Sequence, residues 1–163
     1  MLQIIGNLKD LAFGELMAVY AEGNRENGEE FWPELSAGEQ ILRAEQDFYQ
    51  YLREVFFRTK GAVYCIWLQK GHYVSALRLE PYKDGLLLEA LETLPEARRQ
   101  GHAKALIFAV LAQYKGQKIY SHVGKRNAAS LNTHLACGFR RVSEQAVYAD
   151  GSVNDRCCTL MIM

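Results

Sequence analysis

The feature that most constrains the fold of this chain is a change of period near its middle. Leu86-Leu87-Leu88-Glu89-Ala90-Leu91-Glu92-Thr93-Leu94 is an apolar run that Pro95 stops. After it, Ala103, Leu106, Ile107, Val110, Leu111 and Tyr114 fall at the i, i+3, i+4 spacing of an amphipathic helix. The unit reads strand, tight loop, helix. Its loop is Arg98-Arg99-Gln100-Gly101-His102-Ala103. Gly101 has no Cβ, so the backbone can turn sharply there and let a ligand approach closely. The first turn of the following helix presents unpaired N–H groups and the positive end of its dipole. Flanked by Arg98, Arg99 and Lys104, this terminus is an anion site suited to phosphate.

The loop lacks the Gly-x-x-x-x-Gly-Lys-Ser/Thr pattern of a P-loop and the three-glycine dinucleotide fingerprint. A second segment lies downstream: Val123-Gly124-Lys125-Arg126-Asn127, then Ser130, Leu131, His134 and Cys137-Gly138-Phe139. With Arg-x-x-Gly-x-Ala before it, the chain resembles the GCN5-related N-acetyltransferases, the GNAT family. Asn127 and Gly138-Phe139 sit at the family spacing, while Ser130 replaces the usual Ala and His134 the usual Tyr. The likeness is good from about Val63 onward and holds only in outline before it.

The resemblance implies an α/β (α+β) fold with a central mixed, mostly antiparallel sheet, splayed between two parallel strands and flanked by helices. It implies one domain over residues 1–163 that uses acetyl-CoA as cosubstrate, with no metal. The backbone of Leu91 and Thr93 would meet the pantetheine arm. Arg99, Gln100, Gly101, His102, Ala103 and Lys104 would hold the pyrophosphate, with the Arg98 and Arg99 side chains nearby. Asn127 would reach the cofactor arm, cap its helix, or do both. The reaction implied is direct acetyl transfer to an amine through a ternary complex. It needs a base for the amine and a proton for the departing thiolate. His134 occupies the position of the family's acid; packing against a backbone carbonyl is the alternative. For the base, strand alternation places Glu89 and Glu92 on opposite faces, with Glu89 sharing the face of Leu91 and Thr93. Glu89 is preferred over Glu92 and His122. The rival reading is a catalytically silent CoA-binding or regulatory module on the same fold. A weaker one is an ATP-binding domain using the glycine loop.

Composition sets the remaining bounds. The 163 residues carry 19 basic and 19 acidic side chains, so no basic surplus argues for nucleic acid. No apolar run spans a bilayer and no signal peptide is visible, so a cytoplasmic protein is expected. Cys65, Cys137, Cys157 and Cys158 form no Cys-x-x-Cys pair and read as reduced thiols. The acceptor is a small-molecule amine or a protein or peptide amine, and the family allows a homodimer through its final strands.

Along the chain, Met1 to Ile5 reads as a strand, and Asn7 as the cap of a helix from Leu8 to Tyr20. Glu22 to Glu30 reads as a polar loop, or more sharply as an acidic rim that attracts a cationic amine. Ser36-Ala37-Gly38-Glu39 is a capping box. Its helix carries Ile41, Phe48, Leu52, Val55 and Phe56 inward to about Lys60-Gly61. Val63–Leu68 and Tyr73–Leu79 read as a hairpin with His72 exposed in its turn, and Lys83-Asp84-Gly85 turns into the next strand. Lys118–Val123 is a strand, Asn127–Cys137 a helix, and Phe139–Tyr148 and Asp155–Ile162 the last two strands around Asp150-Gly151.

Overall fold

The computed structural model describes residues 1–163 and contains a sheet of seven strands with helices on both faces. In chain order, β1 (Leu2–Ile5) leads to three helices: α1 (Phe13–Val19), α2 (Ala21–Phe31) and α3 (Ala37–Glu54). Next come β2 (Val63–Gln69), β3 (His72–Tyr82), β4 (Gly85–Thr93), α4 (His102–Gln113), β5 (Ile119–Gly124) and α5 (Ala128–Ala136). The chain ends with β6 (Arg140–Ser143), a small hairpin of β7 (Ala146–Val147) and β8 (Val153–Asn154), and β9 (Cys157–Ile162). The sheet order is β1-β2-β3-β4-β5-β9-β6. All its pairs are antiparallel except β4 with β5, whose crossover is α4. This is the expected mixed sheet. No helix is long and apolar enough to cross a membrane.

Period-2 alternation divides the core into two layers. Tyr64 and Ile66 of β2 and Ala76 of β3 face Leu16 and Val19 of α1, Tyr20 at its C-terminal cap, and Leu52 of α3. Cys65, Leu77, Leu79 and Leu88 face the other way, onto Leu106, Ile107 and Val110 of α4. The β4–β5 pairing is short. It covers Leu86–Leu88 against Ile119–Ser121, and beyond it the two strands diverge.

The first half departs from the sequence reading in three places. Asn7 caps only a 3-10 turn, Leu8–Asp10, because Asp10 N–H donates to its Oδ1 and its own Nδ2 turns to the Asp10 carboxylate. Leu11 is extended, and the α-helix begins later, at Phe13. The segment Glu22–Glu30, read as a loop, is part of α2. Its glycines misled: a Cβ on Gly28 would lie 2.8 Å from Gln40 Cβ, so this glycine lets α2 and α3 pack closely. The capping box is present, with Glu39 N–H donating to Ser36 Oγ and Ser36 N–H to the Glu39 carboxylate. Leu52 and Phe56 are buried as expected, whereas Ile41 and Val55 are exposed and α3 stops at Glu54. The expected strand Phe139–Tyr148 breaks after Ser143, and Tyr82 Oη donates to the Val147 carbonyl of the separate hairpin.

Two glycines test this packing. A Cβ on Gly85 would sit 2.1 Å from the Lys118 carbonyl oxygen, whereas one on Gly23 meets nothing within 4 Å. Gly85→Ala is expected to destabilise the fold by about 1–3 kcal/mol in urea unfolding. Gly23→Ala, inside α2, should stabilise it by about 0.5–1 kcal/mol.

Candidate active site

A β-bulge shapes the strand that leads to the glycine loop. Ala76 pairs with Glu92 and Arg78 with Glu89, so the single residue Leu77 faces both Ala90 and Leu91. Ala90 takes φ 54°, the left-handed conformation such a bulge uses, and Tyr20 Oη holds it by donating to the Ala90 carbonyl at 2.5 Å. The extra residue resets the alternation. Glu89 and Glu92 therefore point to the same face, that of Ala76 and Arg78, which corrects the opposite-face expectation. Leu91 packs with the α4 layer, and Thr93 Oγ1 meets Ser75 Oγ at 3.1 Å, so Glu89 does not share their face.

Where β4 and β5 part, a cleft of about 720 Å³ opens. Leu91, Glu92 and Thr93 line it from β4, Arg98, Arg99 and Gly101 to Lys104 from the loop and α4, and Asn127, Ser130 and Thr133 from α5. Leu94 N–H donates back to Val74 on β3, so by alternation Thr93 N–H turns toward the gap. Gly101 has φ 84°, and a Cβ there would meet no protein atom within 4 Å. The first N–H groups of α4 have no side-chain cap. His102 is buried with Nε2 unbonded, although the residue lines the cleft. These features fit a pyrophosphate: free donors, open space above the backbone, and the positive end of the helix.

The other sequence-marked residues divide. Arg99 lines the cleft with left-handed backbone, φ 62°, and Lys104 lines it too. Gln100 is exposed and outside the lining. Arg98 turns toward α2 and β4 instead: it pairs with Glu22 at 2.5 Å and with Glu92 at 3.6 Å, and donates to the Thr93 carbonyl. Asn127 caps α5 by accepting from Ser130 N–H at 3.1 Å while also lining the cleft. Glu22 and Glu26 of α2 stand at the same end as Glu92. The acidic-rim reading of their segment had marked them, but on a loop rather than a helix.

Glu89 lies outside the cleft lining, 3.6 Å from Arg78. Burial raises its carboxyl above the ordinary range, Arg78 pulls it down, and Glu80 raises it further. Burial also raises Glu92, against Arg98, with Glu22 and Glu26 adding to the rise. Arg78 was not singled out from the sequence, where it is the one charge between Val74 and Leu79.

His134 is buried and absent from the cleft lining. Its Nδ1 donates to the Ser130 carbonyl at 2.8 Å, which leaves the Nε2 lone pair for Ser121 Oγ at 3.0 Å. Its ring meets Phe139 edge-on. Burial lowers its pKa, with the Ser130 bond acting the other way, so the imidazole is neutral near pH 7. It points inward as expected, yet toward β5 rather than toward the cleft. His122 sits half-buried between Tyr82 and Tyr148, also outside the lining.

Comparison with known proteins settles the family. The sequence model of the acetyltransferase (GNAT) family matches residues 25–139. The chain belongs to the GNAT family. No curated protein matches it significantly in sequence, but solved GNAT folds do so in structure. PaiA N-acetyltransferase from Thermoplasma acidophilum, solved in complex with coenzyme A, superposes with a TM-score of 0.64 at 13% identity, covering 99% of this chain and 98% of that one. The IAA acetyltransferase from Bacillus cereus gives 0.62 at 14%, covering 99% and 97%. The ribosomal-protein-S18-alanine N-acetyltransferase from Escherichia coli gives 0.59 at 17%, covering 99% and 93%. At these identities the likeness is one of fold. GNAT membership supports acetyl transfer from acetyl-CoA, and no cluster of potential metal ligands is present.

Two measurements check these assignments. Arg99→Ala should weaken CoA binding and flatten its salt dependence more than Arg98→Ala, because Arg98 is held by two carboxylates. The pH dependence of unfolding checks His134. Its folded pKa is depressed, so the unfolded chain binds the proton more tightly and stability falls as pH drops below about 6.5. His134→Phe should show a shallower fall below about pH 6.5.

Proposed function

We propose that the protein transfers an acetyl group directly from acetyl-CoA to an amine, through a ternary complex, in the gap between β4 and β5. The observation that carries this reading is the divergence of β4 and β5 beyond Leu88 and Ser121, which opens onto the uncapped N-terminus of α4. The backbone from Arg99 to Lys104 binds the pyrophosphate, and Leu91 and Thr93 line up the pantetheine arm as a strand would. That path brings the thioester end to Ala90 and Glu89, at the bulge. Glu22, Glu26 and Glu92, offset by Arg98, give this end a negative balance that draws in an ammonium.

Glu89 serves as the base. The acceptor loses one proton to solvent to become a neutral amine. As its nitrogen bonds the acetyl carbon and the C–S bond breaks, the second proton passes to Glu89. The raised pKa of Glu89 makes it a better acceptor than an ordinary surface carboxylate. Thiolate is a tolerable leaving group and takes its proton from solvent. His134, neutral and bonded on both nitrogens, holds α5 against β5 in this account.

Thiol release with a panel of amines at saturating acetyl-CoA tests the reading and separates it from a silent CoA-binding module, which would bind without turnover. Glu89→Gln is expected to lower kcat by about 10²-fold or more with acetyl-CoA affinity unchanged. It should also abolish the acidic limb of the rate profile, since the base works only when deprotonated. His134→Phe, if folded, should keep kcat within a few-fold; a loss on the order of 10²-fold would restore it as the acid.

A further inference from the structure

A second cavity lies on the other face of the sheet from α4, between α2 and α3. Its volume is about 320 Å³, at the low end of small-ligand pockets, which run from roughly 300 to 1,000 Å³. Phe31, Trp32, Phe48 and Tyr51 wall it, Asp47 adds one carboxylate, and Arg78 reaches it from the sheet. Arg78 is the centre of a polar row that crosses three strands. Tyr64 on β2 pairs with Arg78 on β3, and Arg78 with Glu89 on β4. Tyr64 Oη, Arg78 Nε and Glu89 Oε1 are all buried and make no hydrogen bond, Arg78 Nε and Glu89 Oε1 standing 3.6 Å apart as an ion pair. The Arg78 guanidinium lies 5.0 Å from the Tyr51 ring centre and 5.5 Å from that of Phe56. Its side chain is only 16% exposed.

A buried polar group without a hydrogen bond is costly, more so when charged. Arg78 lines the cavity, with Tyr64 and Glu89 in register beside it on the neighbouring strands, and a ligand that supplies oxygen acceptors to Arg78 and a donor to Glu89 matches this row. We propose that this row recognises the acceptor, and that the acceptor is an amino acid with an aromatic or large apolar side chain. The inference rests on the acetyl-transfer reading above. The carboxylate of such a molecule meets the Arg78 guanidinium, whose planar fork fits two oxygens at once. Its amine, a few ångströms from its carboxylate, is then left beside Glu89, next to the bulge where the thioester arrives. The aromatic walls take the side chain.

The same observations disfavour other amines. A polyamine would bring several positive charges against Arg78, and the lining's single carboxylate, Asp47, already faces Arg43 at 3.6 Å. A peptide N-terminus carries no carboxylate beside its amine, and a cavity of this size holds little more than one residue. The products are the N-acetyl amino acid and free CoA thiol, by the bond changes and proton transfers already described.

The test is a set of acetylation rates at saturating acetyl-CoA, with products identified by mass, for L-phenylalanine, L-tryptophan, phenethylamine, spermidine and an N-terminal alanine peptide. The amino acids are expected to exceed phenethylamine in kcat/KM by about 10²-fold or more, since the decarboxylated amine offers the Arg78 guanidinium no oxygen acceptor. Arg78→Gln should raise KM for phenylalanine far more than for phenethylamine, while moving the acidic limb of the rate profile to higher pH for both, because Arg78 also holds down the Glu89 carboxyl. Because that variant removes a buried charge and can misfold, Phe31→Ala at the exposed rim is the second probe, and it should raise KM for phenylalanine several-fold. Equal or better use of phenethylamine, or acetylation of spermidine or the peptide alone, would overturn the acceptor assignment and leave acetyl transfer standing. No transfer to any amine, with no binding of acetyl-CoA in calorimetry, would overturn both.

Discussion

One extra residue in β4 governs most of what this molecule can do. Because Ala90 and Leu91 together oppose Leu77, β4 bends and twists beyond the pairing it makes with β5. A regular strand would have continued the ladder and closed the gap. The bulge also moves Glu92 onto the face of Glu89, so that one strand sets two carboxylates along the same side of the sheet. Its left-handed residue is an alanine, which does not favour that conformation unaided. The Tyr20 hydroxyl compensates by binding the Ala90 carbonyl, and this ties the bulge to α1 and the core of the first half.

From the bulge, the chemistry divides by charge. On the α4 side, open backbone donors, the helix terminus, Arg99 and Lys104 form a positive end suited to the phosphates. On the α2 side, Glu22, Glu26 and Glu92 form a negative end, moderated by Arg98, that suits an amine. Arg98 spans the two ends: it belongs to the glycine loop in sequence and to the acidic end in space. The buried row of Tyr64, Arg78 and Glu89 adds a polar contact on the far face, next to the reacting end of the gap.

Much of this was legible in the sequence because the second half is locally determined. Pro95, Gly101, Asn127 and Gly138 punctuate strands and helices whose periods agree with their surroundings, and their elements appear where expected except for the strand after Gly138, which breaks at Ser143. Gly101 and Gly138 both adopt the positive φ that only glycine takes without strain. The first half was harder, because its helices are set by contacts across the fold. Gly23 and Gly28 look like loop residues until Gln40 is seen packed on Gly28. Ile41 and Val55 follow a helical period yet stay exposed, since α3 ends before the second can turn inward. The bulge depends on contacts across the fold in a similar way. In Leu-Glu-Ala-Leu-Glu-Thr the adjacent apolar pair Ala90-Leu91 breaks the alternation, but only the pairing with β3 shows that Leu77 faces both. The placement of Glu89 and Glu92 went astray with it. His134 falls at the acid's place by spacing alone, whereas its surroundings are Ser121 on β5, Ser130 on its own helix and Phe139 just before β6.

Backbone hydrogen exchange on β4 tests the central claim most directly. If the β4–β5 gap receives the pantetheine arm, the amides of Leu91 and Thr93, which alternate with the β3-facing amides of Glu92 and Leu94, exchange readily in the free protein. They should then become protected on adding acetyl-CoA, together with the first turn of α4. Protection confined to α4, with Leu91 and Thr93 exchanging as before, would contradict the account and place the acyl group somewhere other than the bulge.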